Sequence, residues 1–215
     1  MVFNQNKLKK GRSMKRLVLL MVIVVFSITL NAKQRHEWWF LGVANTTLSK
    51  NYTKDFEKAA ESTDEDLKFG NLIGLQIGYA VMLQFENNLS FGMDVRYVEK
   101  GWTTETKDNL NTMKNSYLDL VLKSGYFMPE VNYIPIIRQT NWQPYIGVGM
   151  SAFMNSETPI KTNVETYYSF VVGLDILSKN KFTMNTNYSL GFTEIMEGES
   201  KAKLNTLSVG LGRKF

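Results

Sequence analysis

Two counts bound the chemistry open to this chain: it has one histidine and no cysteine. The missing cysteine rules out disulfides, thiolate metal sites, cysteine nucleophiles and a lipid-modified N-terminal cysteine. One imidazole, His36, cannot build a histidine-based metal cluster, and it is the only histidine that could serve as a general base. The phosphate-loop and dinucleotide signatures are absent. Acidic residues crowd 55–66, where Asp55, Glu57, Glu61, Asp64, Glu65 and Asp66 stand among Lys50, Lys54, Lys58 and Lys68. Their spacing is not that of a calcium loop, so a solvated mixed-charge loop is expected there, with a short helix over 54–60. The most specific charges are Asp94, Arg96, Asp119 and Lys123, each set inside a run of alternating apolar residues. Their chemistry is ion pairing in a buried place, where an unpaired charge costs several kcal/mol.

The elements that must position these charges are strands. Apolar residues recur with period two, the signature of a strand with unlike faces. The last stretch shows it well: Leu207, Val209, Leu211 and Phe215 fall on one parity, and Thr206, Ser208, Gly210, Gly212 and Lys214 on the other. Eight such segments are expected, at about 37–45, 71–85, 89–101, 115–127, 142–154, 164–178, 181–195 and 203–215. Pro129 and Pro135 interrupt 128–141, which is therefore expected to be a long connection with an optional strand extension. The register between the fourth and fifth strands is left open by it. The segments exceed the 5–6 residues usual in soluble sheets and match the roughly 9–11 tilted residues that cross a bilayer.

The N-terminus is set apart. Lys7, Lys9, Lys10, Arg12, Lys15 and Arg16 precede an apolar run over 17–30, followed by Asn31 and Ala32. That is the pattern of a secretory signal peptide over 1–32, starting at Met1 or Met14, and the run is shorter than the roughly 20 residues of a membrane helix. Removing its six basic residues from the 25 in the chain leaves 19 against 20 acidic. The mature segment, 33–215, is thus close to neutral, and its charge gives no reason to expect nucleic acid.

A soluble eight-stranded barrel packs apolar residues inside, and a membrane barrel reverses this. The polar parity here carries the glycines (Gly74, Gly78, Gly92, Gly147, Gly149, Gly173, Gly191) and the mid-strand charges Asp94, Arg96, Asp119, Lys123 and Asp175. A narrow polar lumen accounts for both. Aromatics near strand ends (Trp38, Trp39, Phe85, Trp102, Tyr126, Trp142, Tyr167, Tyr168, Phe215) are expected to form two interfacial girdles. If the third and fourth strands pair across 102–114, Arg96 meets Asp119. An Arg96–Asp119 ion pair that plugs the lumen together with Asp94 and Lys123 is the expected site. His36 falls before the first strand, at the periplasmic end, away from the outer rim where barrel hydrolases keep a histidine with an acid.

Several runs resemble the outer-membrane beta-barrel domain of Bacteroidota often labelled PorT-like: 88–101, 116–121, 143–152, 188–192 and 209–215. The resemblance implies an eight-stranded barrel in the outer membrane, and in one branch a part in type IX secretion and gliding. By the same analogy a terminal aromatic such as Phe215 is read by the barrel-insertion machinery. The tight turn usual in that family is replaced here by 128–141. The expectation is an all-β, eight-stranded antiparallel up-and-down transmembrane β-barrel in the cell outer membrane, non-enzymatic and without metal or cofactor. Leu207, Val209, Leu211 and Phe215 should face outer-membrane lipid, and the outer loops should offer a surface to a protein partner. Alternatives are an accessory of a secretion machine or a narrow solute pore.

Overall fold

A computed structural model describes residues 32–49, 68–105, 110–131, 140–156, 166–193 and 203–215. The expected signal peptide, through residue 31, and the expected charged loop and short helix over 54–60 lie outside the described residues.

Alternation becomes nine strands: β1 (Gln34–Leu48), β2 (Lys68–Gln84), β3 (Leu89–Glu105), β4 (Leu110–Tyr126), β5 (Met128–Val131), β6 (Thr140–Ser156), β7 (Thr166–Ser178), β8 (Phe182–Gly191) and β9 (Leu204–Lys214). Each long strand pairs antiparallel with its sequence neighbour, β1 pairs with β9, and β4 pairs with β6. Eight strands therefore close into an up-and-down barrel with no open edge, and β5 is an appendage. It occupies the awkward connection, pairing Met128 with Trp142 and Val131 with Thr140. Pro129 falls inside it, on a short edge strand where a missing N–H is tolerated. The open register is settled by Lys123↔Gly147 and Asp119↔Ser151 between β4 and β6.

Several strands outrun their expected ends, β3 reaching Glu105 and β4 starting at Leu110. Polar residues on both parities hide the period there. β2 gains one residue against β3 between the pairs Asn71↔Trp102 and Gln76↔Val98, a bulge. The Leu75 N–H freed by it donates to the Glu99 carboxylate at 2.9 Å. Two tight turns join β2 to β3 and β7 to β8. Their left-handed residues are Asn88 (φ 61°) and Lys181 (φ 67°), and asparagine takes that conformation at little cost.

The apolar parity faces out on every strand: Leu41, Ile73, Leu118, Ile146, Val148, Phe170, Leu190, Leu207 and Leu211 are all exposed. The interior is layered. At the end with the short turns, Trp38, Phe40, Ala80, Met82, Phe127 and Leu177 pack together. At the other end, Leu48, Trp102, Met113, Tyr117, Tyr167 and Leu204 do the same. This corrects the expected girdles, because Trp38, Trp102 and Tyr167 point inward and are buried, while Trp39, Tyr126, Tyr168 and Phe215 point out. The inward glycines explain how such large rings fit a narrow barrel. A Cβ on Gly78 would collide with the Phe40 ring, one on Gly173 with the Tyr145 ring, and one on Gly92 would lie 2.6 Å from Met82 Sδ.

Candidate functional site

Strands β3, β4, β7 and β8 send polar side chains to the middle of the lumen, where they form a closed ring. Lys123 Nζ lies 2.6 Å from Asp175 Oδ2 and 2.8 Å from Asp94 Oδ1. Asn185 Nδ2 donates to Asp175. Asn187 Nδ2 donates to Asn185 Oδ1 at 3.0 Å, and Arg96 Nη1 donates to Asn187 Oδ1 at 3.2 Å. Arg96 Nη2 stands 3.6 Å from Asp94 Oδ2 and completes the circuit. Two cations and two carboxylates balance, all four buried. The ring is braced by aromatics: Lys123 Nζ lies 5.1 Å from the Trp38 ring centroid and 4.6 Å from that of Tyr145.

A second cluster lies toward the end with long connections. Lys100 Nζ is 2.6 Å from Asp119 Oδ2 and donates to Ser151 Oγ at 3.1 Å and to the Tyr167 hydroxyl. It also lies 4.8 Å from the Tyr167 ring centroid. A lysine beside a serine is the raw material of a hydrolase dyad. Here the lysine is salt-bridged to a carboxylate and donates to Ser151, and Tyr117 and Tyr167 close over it, so it is a strut rather than a base.

All four anticipated lumen charges are buried inside the barrel, but one expected pairing is not made. Arg96 and Asp119 are cross-strand partners. Asp119 nevertheless pairs with Lys100, four residues beyond Arg96 on the same face, while the Arg96 guanidinium crosses the lumen to β8. Asp175, Asn185, Asn187 and Lys100 complete the network. Lys100 had a signal, since it shares the parity of Asp94 and Arg96. A double-mutant cycle between Lys100→Met and Asp119→Asn, read by urea unfolding in lipid vesicles, should give a coupling near the top of the roughly 0.5–3 kcal/mol range for contacting residues. The corresponding Arg96–Asp119 cycle should give a clearly smaller value.

His36 sits at the other rim, buried against the Phe127 ring at 5.0 Å between centroids. Lys214 Nζ lies 2.7 Å from its Nδ1 and Gln84 Oε1 3.1 Å from its Nε2. An ammonium only donates, so Nδ1 accepts and Nε2–H donates to Gln84. Both nitrogens are used in joining β1, β2 and β9. Among the described residues no cluster of three or more carboxylate or imidazole groups is arranged to hold a metal.

On the outside, Leu207, Leu211 and Phe215 are exposed and Val209 is half-buried, all on the outward parity of the closing strand.

Among solved structures the chain is similar to Ail, the attachment invasion locus protein of Yersinia pestis, in complex with the heparin analogue sucrose octasulfate. The identity is 15%, over 85% of this chain and 99% of that one, with a TM-score of 0.41. Neisserial surface protein A is similar at 12% identity, over 85% of this chain and 100% of that one, with a TM-score of 0.43. The outer membrane protein OprG from Pseudomonas aeruginosa is similar at 11% identity, over 86% and 98%, with a TM-score of 0.46. No curated protein matches the sequence. The model of the outer membrane protein beta-barrel domain matches residues 39–197, most of the closed barrel described above, and the chain belongs to that outer-membrane family.

Proposed function

We propose that this protein is a sealed outer-membrane barrel with a non-enzymatic structural or surface-interaction role, its outer loops serving as the binding surface. The observation that carries this is the filled interior. A neutral ring of Lys123, Asp175, Asn185, Asn187, Arg96 and Asp94 spans the middle, and an apolar plug backs it at either end. A free path for solute would have to break buried ion pairs and displace both plugs, which argues against the solute-pore alternative. Short turns are periplasmic in such barrels and long connections face out, which orients this one with the β2–β3 and β7–β8 turns inward. The closing strand then presents Leu207, Val209, Leu211 and Phe215 to lipid.

The finer placement among PorT-like barrels of Bacteroidota rests on the runs at 88–101, 116–121 and 143–152, and with it comes a role as accessory to a secretion machine. Affinity capture of the intact barrel separates a machine component from a solitary protein. The main reading is tested by conductance. The full barrel in planar bilayers should show no unitary current steps under voltage. Stable, reproducible steps would make it a channel.

A further inference from the structure

The outward face is not uniformly apolar, and its charges are arranged in a telling way. Arg35 pairs with Glu37 at 2.5 Å, and Glu99 pairs with Lys114 at 3.0 Å. Arg213 is different. It is exposed on β9, flanked by its register partners Trp39 on β1 and Phe182 on β8. Among the described residues no carboxylate pairs with it. Glu37, two residues along β1 from Trp39, is taken by Arg35 and by the Tyr79 hydroxyl. A shallow, open groove of about 520 Å³ is lined by Trp39, Leu41, Ile77, Phe182 and Leu211 together with Arg213. An unpaired guanidinium at the head of an apolar groove has the layout of a phosphodiester with an acyl chain beneath it.

We infer that this groove is a binding site for one glycerophospholipid of the periplasmic leaflet, its phosphate held by Arg213 and one chain laid along Leu41, Ile77 and Leu211. The inference rests on the membrane-barrel reading above and adds a defined lipid to it. Arg213 stands at the periplasmic end of β9, the level of lipid phosphates, where an outward arginine is tolerated, and a phosphate brought alongside supplies its counter-charge. Trp39 and Phe182 wall the site so that a lipid seated there exchanges more slowly than bulk lipid.

Native mass spectrometry of the full barrel tests this, with dioleoyl-phosphatidylethanolamine as probe and dioleoylglycerol as the matched lipid lacking phosphate. Wild-type barrel should retain one phosphatidylethanolamine and little dioleoylglycerol. Arg213→Gln should lower that occupancy about tenfold, equivalent to about 1.4 kcal/mol. Arg213→Lys should restore part of it, and Arg35→Gln should leave it unchanged. Equal retention by wild type and Arg213→Gln would overturn the site. So would equal retention of dioleoylglycerol, which would mean apolar contact alone. Displacement of the lipid by inorganic phosphate would reduce the site to an anion site on the surface. Heat-modifiable gel migration is scored on every sample. Its absence from the wild type would sink the barrel reading itself, whereas normal migration with no retained lipid sinks only this inference. Should Arg213→Gln alone fail to migrate as a barrel, the comparison passes to Leu211→Ser in the groove, which should lower occupancy while leaving migration intact. Unchanged occupancy there would count against the groove.

Discussion

Replacing Lys123 with methionine is expected to destabilise the barrel by about 3–5 kcal/mol, the loss seen when one partner of a buried ion pair is removed. Lys123 is fully buried and touches two carboxylates, Asp94 and Asp175, each equally shut off from solvent. Among the described residues neither oxygen of Asp94 has a hydrogen-bond partner, so its compensation comes from the charges of Lys123 at 2.8 Å and Arg96 at 3.6 Å. Methionine keeps the length of the stem and removes the charge, leaving two desolvated carboxylates beside a single arginine. It also removes the cation over the Trp38 and Tyr145 rings, each such contact being worth roughly 0.5–2 kcal/mol. The measurement is the urea midpoint of barrel refolded into lipid vesicles, with an unchanged slope as the check on cooperativity. The double variant Lys123→Met, Asp175→Asn should recover most of the loss, because it leaves Arg96 and Asp94 as a balanced pair and the penalty lies in uncompensated charge rather than in the missing ammonium itself. A single variant as stable as wild type would show that the ring bears no energetic load.

Most of the architecture was legible because period two is hard to counterfeit. Parity alone places Leu41 and Val43, Leu118 and Leu120, Ile146 and Val148 outward, and they are outward. Parity also contained what was misread. Trp38 stands opposite in phase to Trp39, Trp102 is in phase with Asp94 and Arg96, and Tyr167 is in phase with Ser169 and Asp175. Each is therefore an inward residue. Clustering of aromatics near strand ends suggested girdles, but position along a strand says how deep a ring lies, and only parity says which way it points. Lys100 was lost for a related reason, standing at what looked like the end of a strand that runs on to Glu105. The partner of Asp119 was not legible in any such way. The ladder sets Arg96 opposite it, yet a side chain as long as arginine spans a narrow lumen, and whether it stops at its neighbour or crosses to Asn187 depends on what the far wall offers. Glycines on the inward parity fit a narrow polar lumen. They are better understood as seats for Phe40, Tyr145 and Met82, which fill it.

The sharpest separation between a membrane barrel and a soluble one comes from the same substitution at two depths. Val148 is the central residue of β6 and points outward, between its register partners Leu122 and Phe170. Met154 points outward from the same strand near its far end, and the two are equally open, 55% and 57% exposed. In water an arginine at either position would project into solvent and change stability little. In a bilayer the two diverge. Val148→Arg should cost about 2–4 kcal/mol, because the guanidinium lies near the midplane where snorkelling reaches neither interface easily. Met154→Arg should cost only about 0–1 kcal/mol, since its head group reaches the interface. Reversible unfolding from phospholipid vesicles measures both. The difference between the two variants carries the information, because it cancels whatever each loses in side-chain packing against its neighbours. A gap of about 2 kcal/mol or more fixes the outward face as lipid-facing and places Val148 near the middle of the hydrocarbon. Equal and small effects would instead mean that water bathes the whole outer wall, and the apolar parity would then need another explanation.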